Sequence, residues 1–415
     1  MRKIKFIHLS DIHIGLQTHG KINAATGKNT RLEDILKSLD FVFEYAQKES
    51  VDLVLIAGDI FHRENPQPTE EIEFSKRVLK LVQGSNARVV MVLGNHDYPS
   101  AGGRASAVEI FPALDINRVT IVRKPKLINL NTENGPVQIA CLPWAGRSGL
   151  LTKDEYKSLS SQEIQIEIEK RLIAIIRDLS LKTNKSDPAI LLAHLAARDA
   201  KLSGTERDTL TTTDPIVPVS ELNNKAFQYV ALGHIHRFQN LNKDDAPPII
   251  YSGSIERIDF TEEKEGKGFV LGEIFESEDG WKCEYKFIET PSRKFITVEL
   301  DQSDLETEED LEKRFSKDDY SDAVVRVRYK VSGPSDKVDE KRIKSIFESA
   351  QSLKIEKVFD KHEKVMRQAG LSKTMGLMEA LDKYIETKPE LKSMADEMKS
   401  YAEKLIRDNT DNTQD

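Results

Sequence analysis

Cysteine is nearly absent from this chain: Cys141 and Cys283 are the only two among 415 residues, and they lie far apart in apolar, strand-like stretches. That argues against a disulfide framework or a cysteine-ligated metal site and points to the reducing cytoplasm. Long apolar runs are also missing. None approaches the roughly 20 residues that a membrane helix needs, and the N-terminus is expected to enter a strand at once, without a leader. Positive charge is in deficit: the net charge of −8 argues against a protein that coats nucleic acid electrostatically, although local contacts stay open. There are no internal repeats and no long low-complexity tract. The length exceeds that of one ordinary core, so two or three domains are expected.

What the chain does have is a series of buried strands that end in polar residues. Val51 to Arg63 reads VDLVLIAGDIFHR. Its apolar, β-branched half fits a strand buried on both faces, and Gly58 then turns the backbone to present Asp59. Five other strands end in the same way. Lys3–Leu9 delivers Ser10-Asp11-Ile12-His13, and Arg88–Leu93 delivers Gly94-Asn95-His96-Asp97. Pro188–Ala193 delivers His194, Tyr229–Leu232 delivers Gly233-His234-Ile235-His236, and Ile249–Tyr251 delivers Ser252-Gly253-Ser254. In open α/β sheets, ligands collect beyond such carboxyl ends.

Between the strands, Leu32, Ile35, Leu36, Leu39, Val42, Phe43 and Ala46 share one helical face. Further helices are expected near 69–83, 104–114 and 161–181, and the polar loop Gly20–Asn29 reads as mobile. Strands from 267 to 288 complete a first domain. After Pro291 a small β-α-β-α-β module is predicted, with helices near 304–315 and 339–351. Two amphipathic helices, Met375–Glu386 and Glu390–Arg407, follow, and Asn409–Asp415 reads as a disordered tail. The expected division is 1–290, 291–370, 371–408 and 409–415.

Together the strand ends offer Asp11, His13, Asp59, Asn95, His194, His234 and His236. Seven ligands are too many for one ion and suit two divalent ions sharing a carboxylate. Oxygen and imidazole donors favour manganese, iron or zinc over calcium. Such a pair can lower the pKa of a bridging water and clamp a phosphoryl oxygen, which is the apparatus for phosphoester hydrolysis. Asp11 and His13, like His234 and His236, are spaced so that both side chains can share one face of an extended segment. His8, inside its strand, reads as a core residue, while His19 and His362 read as solvated.

The ordered series SDIHIG, GDIFHR, GNHD, an AH after a strand, and GHIH resembles the calcineurin-like metallophosphoesterase superfamily. The resemblance implies an α/β fold, a β-sandwich flanked by helices. It implies that Asp11, His13, Asp59 and His236 hold one ion, and Asp59, Asn95, His194 and His234 the other. His62 stands where protein phosphatases of the superfamily have Asp, which is similar to the SbcD-type DNA double-strand-break repair nucleases. That likeness extends to Tyr251–Arg257 and to the layout beyond Pro291. It implies a small α+β capping domain, a C-terminal helical hairpin, two manganese ions, 3′-to-5′ exonuclease and single-strand endonuclease activity, and homodimerisation through the helices near 69–83 and 104–114, with Val108 and Phe111. His96 would stabilise charge or protonate the leaving oxygen, and His62 would orient the phosphodiester, the plainer reading of His62 being a surface loop residue.

Candidate DNA contacts are Arg63, Ser254, Arg257, Arg326, Arg328 and Lys330. The last three alternate along one face of Ala323–Val331, where they could position a phosphate backbone. The module 292–370 holds 17 basic and 18 acidic residues, so an ordinary solvated, ion-paired face is the competing reading. The C-terminal apolar stripes either cap their own domain or bind another chain, for which the resemblance implies a coiled-coil ATPase of the SbcC kind. Two other functions remain open: a phosphodiesterase for small substrates, and a scaffold for the ATPase.

Overall fold

The computed structural model describes residues 2–99, 104–145, 159–204, 216–243, 247–300, 315, 320–331, 340–359, 377–386, 391 and 394–411. The first compact unit comprises Met1–Thr297, Asp319–Arg326 and Phe347–Leu353. Its strands are β1 (Lys3–Leu9), β2 (Leu53–Ile56), β3 (Arg88–Val92), β4 (Val119–Val122), β5 (Lys126–Thr132), β6 (Gly135–Leu142), β7 (Ala189–His194), β8 (Ala196–Ala197), β9 (Ile216–Val217), β10 (Tyr229–Gly233), β11 (Gln239–Asn240), β12 (Ile249–Tyr251), β13 (Gly268–Ser277) and β14 (Gly280–Glu289). Two six-stranded sheets form, in the orders β14-β13-β1-β2-β3-β4 and β11-β12-β10-β7-β6-β5, while β8 and β9 pair separately. Strands β1 to β4 run parallel, as do β6, β7, β10 and β12. Their carboxyl ends therefore gather at one edge.

The period of two along each strand explains the layers. Leu53 and Leu55 face a core between the sheets, with Phe6, Val90 and Val92 from the first sheet and Ile139, Cys141, Ile190, Leu192 and Ala231 from the second. Val54 and Ile56 face the opposite way, into a core under two helices. These are α1 (Thr30–Lys48) and α2 (Pro68–Gly84). The whole predicted face of α1 is buried, and Asn29 caps the helix by accepting from the Arg31 amide at 2.9 Å. A third helix, α3 (Ser161–Leu181), buries Ile164, Ile168, Leu172, Ile176 and Leu179 against the second sheet.

Several expectations change. The loop Gly20–Asn29 is closed on itself: Ile22 bridges Asn29, the Asn23 amide donates to the Lys28 carbonyl at 2.8 Å, and the Asn23 side chain reaches Glu33. His19 is not simply solvated, because its ring lies edge-on to Phe260 and Phe295 at 5.0 and 5.8 Å. His362 lies outside the described residues. His8 is a core residue, its two nitrogens 3.0 Å from the Tyr229 hydroxyl and 3.2 Å from the Leu232 carbonyl. Val108 and Phe111, expected at a dimer contact, are buried in the chain's own core. The exposed apolar residues nearby are Ile72, Leu79, Ile110 and Leu114.

The second unit comprises Val298–Asp318, Val327–Ile346 and Lys354–Asp415. Beyond Pro291 the strands β15 (Phe295–Leu300), β16 (Val324–Val331) and β17 (Ser352–Phe359) form a sheet in that order. A helix covers Glu340–Ile346, whereas the one expected near 304–315 falls almost wholly outside the described residues. Helices Leu377–Glu386 and Ala395–Asp411 touch each other, with Lys399 and Asp382 paired at 2.6 Å. The last helix continues to Asp411, past the predicted start of a disordered tail at Asn409. Among the described residues, no helix is long and apolar enough to cross a membrane.

Candidate metal centre

The loops at the sheet edge are held in conformations that side chains seldom adopt. Asp11, His13, Asp59 and His234 have φ of 52°, 51°, 53° and 102°, in or near the left-handed region. Such backbone is costly and persists only where the surroundings enforce it. Here the Asp11, His13 and Ile14 amides donate to the carbonyls of Gly58, Asp59 and Ile60 at 3.1, 3.0 and 2.9 Å, zipping one loop to the next. The loops approach so closely that a Cβ on Gly94 would lie 2.0 Å from Asp59 Oδ1. Asp97 ties the edge together, accepting from the amides of Ile60, Phe61 and Gly94 at 3.2, 3.0 and 3.0 Å. Burial, with the Asp59 charge adding, pushes its carboxyl up to about 6.

The seven predicted ligands come together. Asp11, His13 and His236 form one group, and Asp59, His194 and His234 another. Asn95 Oδ1 joins the second group, 3.0 Å from His194 Nε2 and 3.1 Å from His234 Nδ1. Asp59 Oδ2 stands between the groups, 3.9 Å from His13 Nε2 and 3.5 Å from His194 Nε2.

Proton positions follow from the outer partners. His194 Nδ1 is 2.7 Å from the Ala57 carbonyl, so it donates there and turns the Nε2 lone pair inward. His236 Nδ1 is 2.9 Å from Glu262 Oε1 and donates to that carboxylate, leaving its Nε2 lone pair 3.2 Å from His13 Nε2. His234 Nε2 is buried with no hydrogen-bond partner among the described residues. Two facing acceptors, such as His194 Nε2 and Asn95 Oδ1 at 3.0 Å, repel unless a cation lies between them. Two donors each about 2.1 Å from a shared ion stand roughly 3.0–3.4 Å apart, which matches these separations. The residues therefore fit divalent ions.

Burial, and then the neighbouring imidazoles, hold His13 well below the usual histidine range, and burial takes His234 down to about 3. Burial raises Asp11. For Asp59 burial acts upward, but His194, His96 and the His96 amide outweigh it and lower the carboxyl. A neutral His13 and His234 beside an ionised Asp59 are protonation states that metal binding requires.

His62 and His96 lie beside the first group. Their rings stack at 5.6 Å, and that of His96 is 4.9 Å from that of His13. His96 Nδ1 donates to the His62 carbonyl at 2.8 Å, and its amide donates to Asp59 Oδ1 at 2.9 Å. Burial, with His96 and Arg63 adding, lowers His62 to about 4. With His13, these rings form a third cluster of ligand type.

The six candidate DNA contacts are not brought together in this way. Ser254 is fully buried, bridging Ser10 and donating to the Glu256 carbonyl at 2.9 Å, so it does not face a ligand in solvent. Arg257 braces the chain through Ser292, the Arg293 carbonyl and the Glu265 carbonyl. Arg63 pairs with Glu70 at 2.7 Å. Arg326 lies over the Phe260 ring at 4.3 Å. Arg328 pairs with Glu299 and Glu356 at 3.0 and 3.6 Å, as the plainer reading of that strand predicts, while Lys330 is exposed.

Four contributors escaped the sequence reading. Asp97 stood in the GNHD run without an assigned role. Trp144, just after β6, lies against His234. Glu262 orients His236 and is itself paired at 2.8 Å with the fully buried Lys267. Burial opposes the Glu262 charge, but Lys267 and His236 hold its carboxyl down to about 2. The local sequence around Glu262 and Lys267 carries no signal, because their role depends on a fold that returns them beneath His236.

Two groups of candidate ligands that meet at one carboxylate, with histidines alongside, are the arrangement that two-ion phosphoester hydrolysis would need. The chain belongs to the calcineurin-like phosphoesterase family, whose profile matches residues 4–238. It is similar to the DNA double-strand break repair protein Mre11 of Archaeoglobus fulgidus, at 28% identity over 327 residues, or 75% of this chain. That alignment covers 64% of the relative, less than two thirds of its length. Similarity to the SbcD component of the nuclease SbcCD of Staphylococcus epidermidis is 26% over 309 residues, covering 73% of this chain and 74% of that one. A solved dimetal phosphatase from Danio rerio aligns over 70% of this chain and 100% of its own, at 13% identity and a TM-score of 0.37.

Proposed function

We propose that this chain is a manganese-dependent DNA nuclease of double-strand-break repair, with 3′-to-5′ exonuclease and single-strand endonuclease activity. The carrying observation is the pair of ligand groups that meet at Asp59, with unprotonated nitrogens of His194 and His236 aimed inward. Asp11, His13, Asp59 and His236 would hold one ion, and Asp59, Asn95, His194 and His234 the other. When bound, the two ions would activate a water and neutralise the phosphoryl oxygens. The protein's own part is to fix that geometry in a dry, strained edge of the sandwich. His96, its Nδ1 proton committed to the His62 carbonyl, directs Nε2 as the group that stabilises charge or protonates the leaving oxygen. His62 orients the phosphodiester.

DNA as the substrate is supported by the names of the two relatives. By the same reading, residues 291–370 cap the nuclease domain and 371–408 bind a coiled-coil ATPase of the SbcC kind. Exposed Tyr384, Met394 and Tyr401 on and beside the C-terminal helices suit such a partner. A homodimer would use exposed Ile72, Leu79, Ile110 and Leu114. Digestion of labelled single-stranded and duplex DNA by the purified chain, with manganese and with chelator, tests the activity. Hydrolysis of a small diester with none of DNA would overturn it.

A further inference from the structure

Trp144 lies against the second ligand group. Its ring centroid is 5.1 Å from that of His234, tilted by 32°, and 5.9 Å from that of His194, edge-on. Its amide donates to the Leu93 carbonyl at 2.8 Å, pinning the turn after β6 to the strand end that leads to Gly94 and Asn95. Yet the residue is only half-buried. Among the described residues, none is a hydrogen-bond partner for its indole N–H. A tryptophan that serves only as buried packing usually has that N–H satisfied. Here a partly exposed indole, with no hydrogen-bond partner for its N–H among the described residues, stands beside the second ligand group.

We propose that Trp144 is a stacking platform for the nucleobase next to the scissile phosphate, and so determines which strand ends the site accepts. The proposal rests on the nuclease reading above. In a duplex each base is already stacked on its neighbours, so the indole gains a partner only where a base has left the helix. Stacking on an aromatic ring tolerates any base and gives no sequence preference. The platform therefore selects single-stranded or frayed ends, whatever their sequence.

The test uses the full chain loaded with manganese and two single-stranded oligonucleotides, one with a normal base and one abasic at the cleaved position. Trp144→Ala should lower kcat/KM roughly 10- to 100-fold on the normal strand, and within about twofold on the abasic one, because no base is left to stack. Trp144→Phe should recover most of the loss. A spectroscopic readout is independent of turnover. The chain has two tryptophans, and Trp281, under the Arg2 guanidinium on β14, lies outside the ligand set. In a Trp281→Phe background, Trp144 emission should be quenched by the normal oligonucleotide without metal, and not by the abasic one. Equal losses on both strands would mean that the indole only buttresses His234, and would overturn the proposal, as would full activity of Trp144→Ala. Quenching by mononucleotides but not oligonucleotides would overturn the strand-end role in favour of a small ligand. If the wild-type chain cuts neither strand, the nuclease reading itself fails.

Discussion

His236 presents its Nδ1 proton to Glu262 Oε1 across 2.9 Å, and this contact decides which nitrogen faces the metal centre. Glu262→Gln keeps the shape but removes the charge, leaving Lys267 with Glu265 as its other carboxylate partner. Outer-shell changes of this kind cost roughly 10- to 100-fold in metal affinity. Calorimetric titration with manganese should show that loss. Unchanged affinity would mean that Glu262 serves only the fold.

The cluster of candidate ligands was legible because every member ends or follows a strand whose apolar run is unmistakable, and the continuous apolar run Leu53–Ile56 already implied layers on both faces. The element order through β4 was legible for the same reason. Strand β5 was not, since its half-exposed, polar alternation resembles a loop until β6 pairs with it. Lys267 and Glu262 illustrate a deeper limit. A buried lysine looks like a surface residue in sequence, and only the fold reveals the carboxylates that neutralise it. Ser254 failed the other way: its neighbourhood marked a site, but the local turn sends its hydroxyl into the backbone.

A pH dependence follows from His8, which burial holds at about 3. The unfolded chain takes up this proton near pH 6.5, while the folded one does not. Stability contributed by neutral His8 is thus present above about pH 6.5 and is lost as pH falls toward 3, by up to ~1.4 kcal/mol per unit. Thermal melts of the metal-free protein should steepen in pH dependence across that window. His8→Gln, which cannot titrate, should show a shallower slope than wild type. Parallel slopes would contradict the assignment.

His62→Ala should impair cleavage of duplex ends roughly tenfold more than hydrolysis of a small activated diester. A mobile ester finds its own orientation, whereas a duplex terminus must be turned into place. Paired kinetics on the two substrates measure the difference. Equal losses would move His62 into the chemical step.

If the proposed function holds, truncation after Gly370 should leave the manganese-dependent activity and the melting temperature almost unchanged while abolishing co-purification with a coiled-coil ATPase of the SbcC kind. Short amphipathic helices are marginal in water on their own, so their exposed residues need a partner surface. A truncated chain that still binds the ATPase with full affinity would assign those helices elsewhere.

The most direct measurement is the cleavage of end-labelled DNA in manganese by the wild-type chain and by Asp59→Asn. Asp59 is the carboxylate between both ligand groups, so removing its charge should abolish cleavage by at least about a thousandfold (roughly 4 kcal/mol of barrier). The circular dichroism of the metal-free variant should match the wild type. Loss of cleavage with an intact fold is the predicted result. An Asp59→Asn protein, free of wild-type contamination, that cuts DNA at the wild-type rate would contradict the two-ion account.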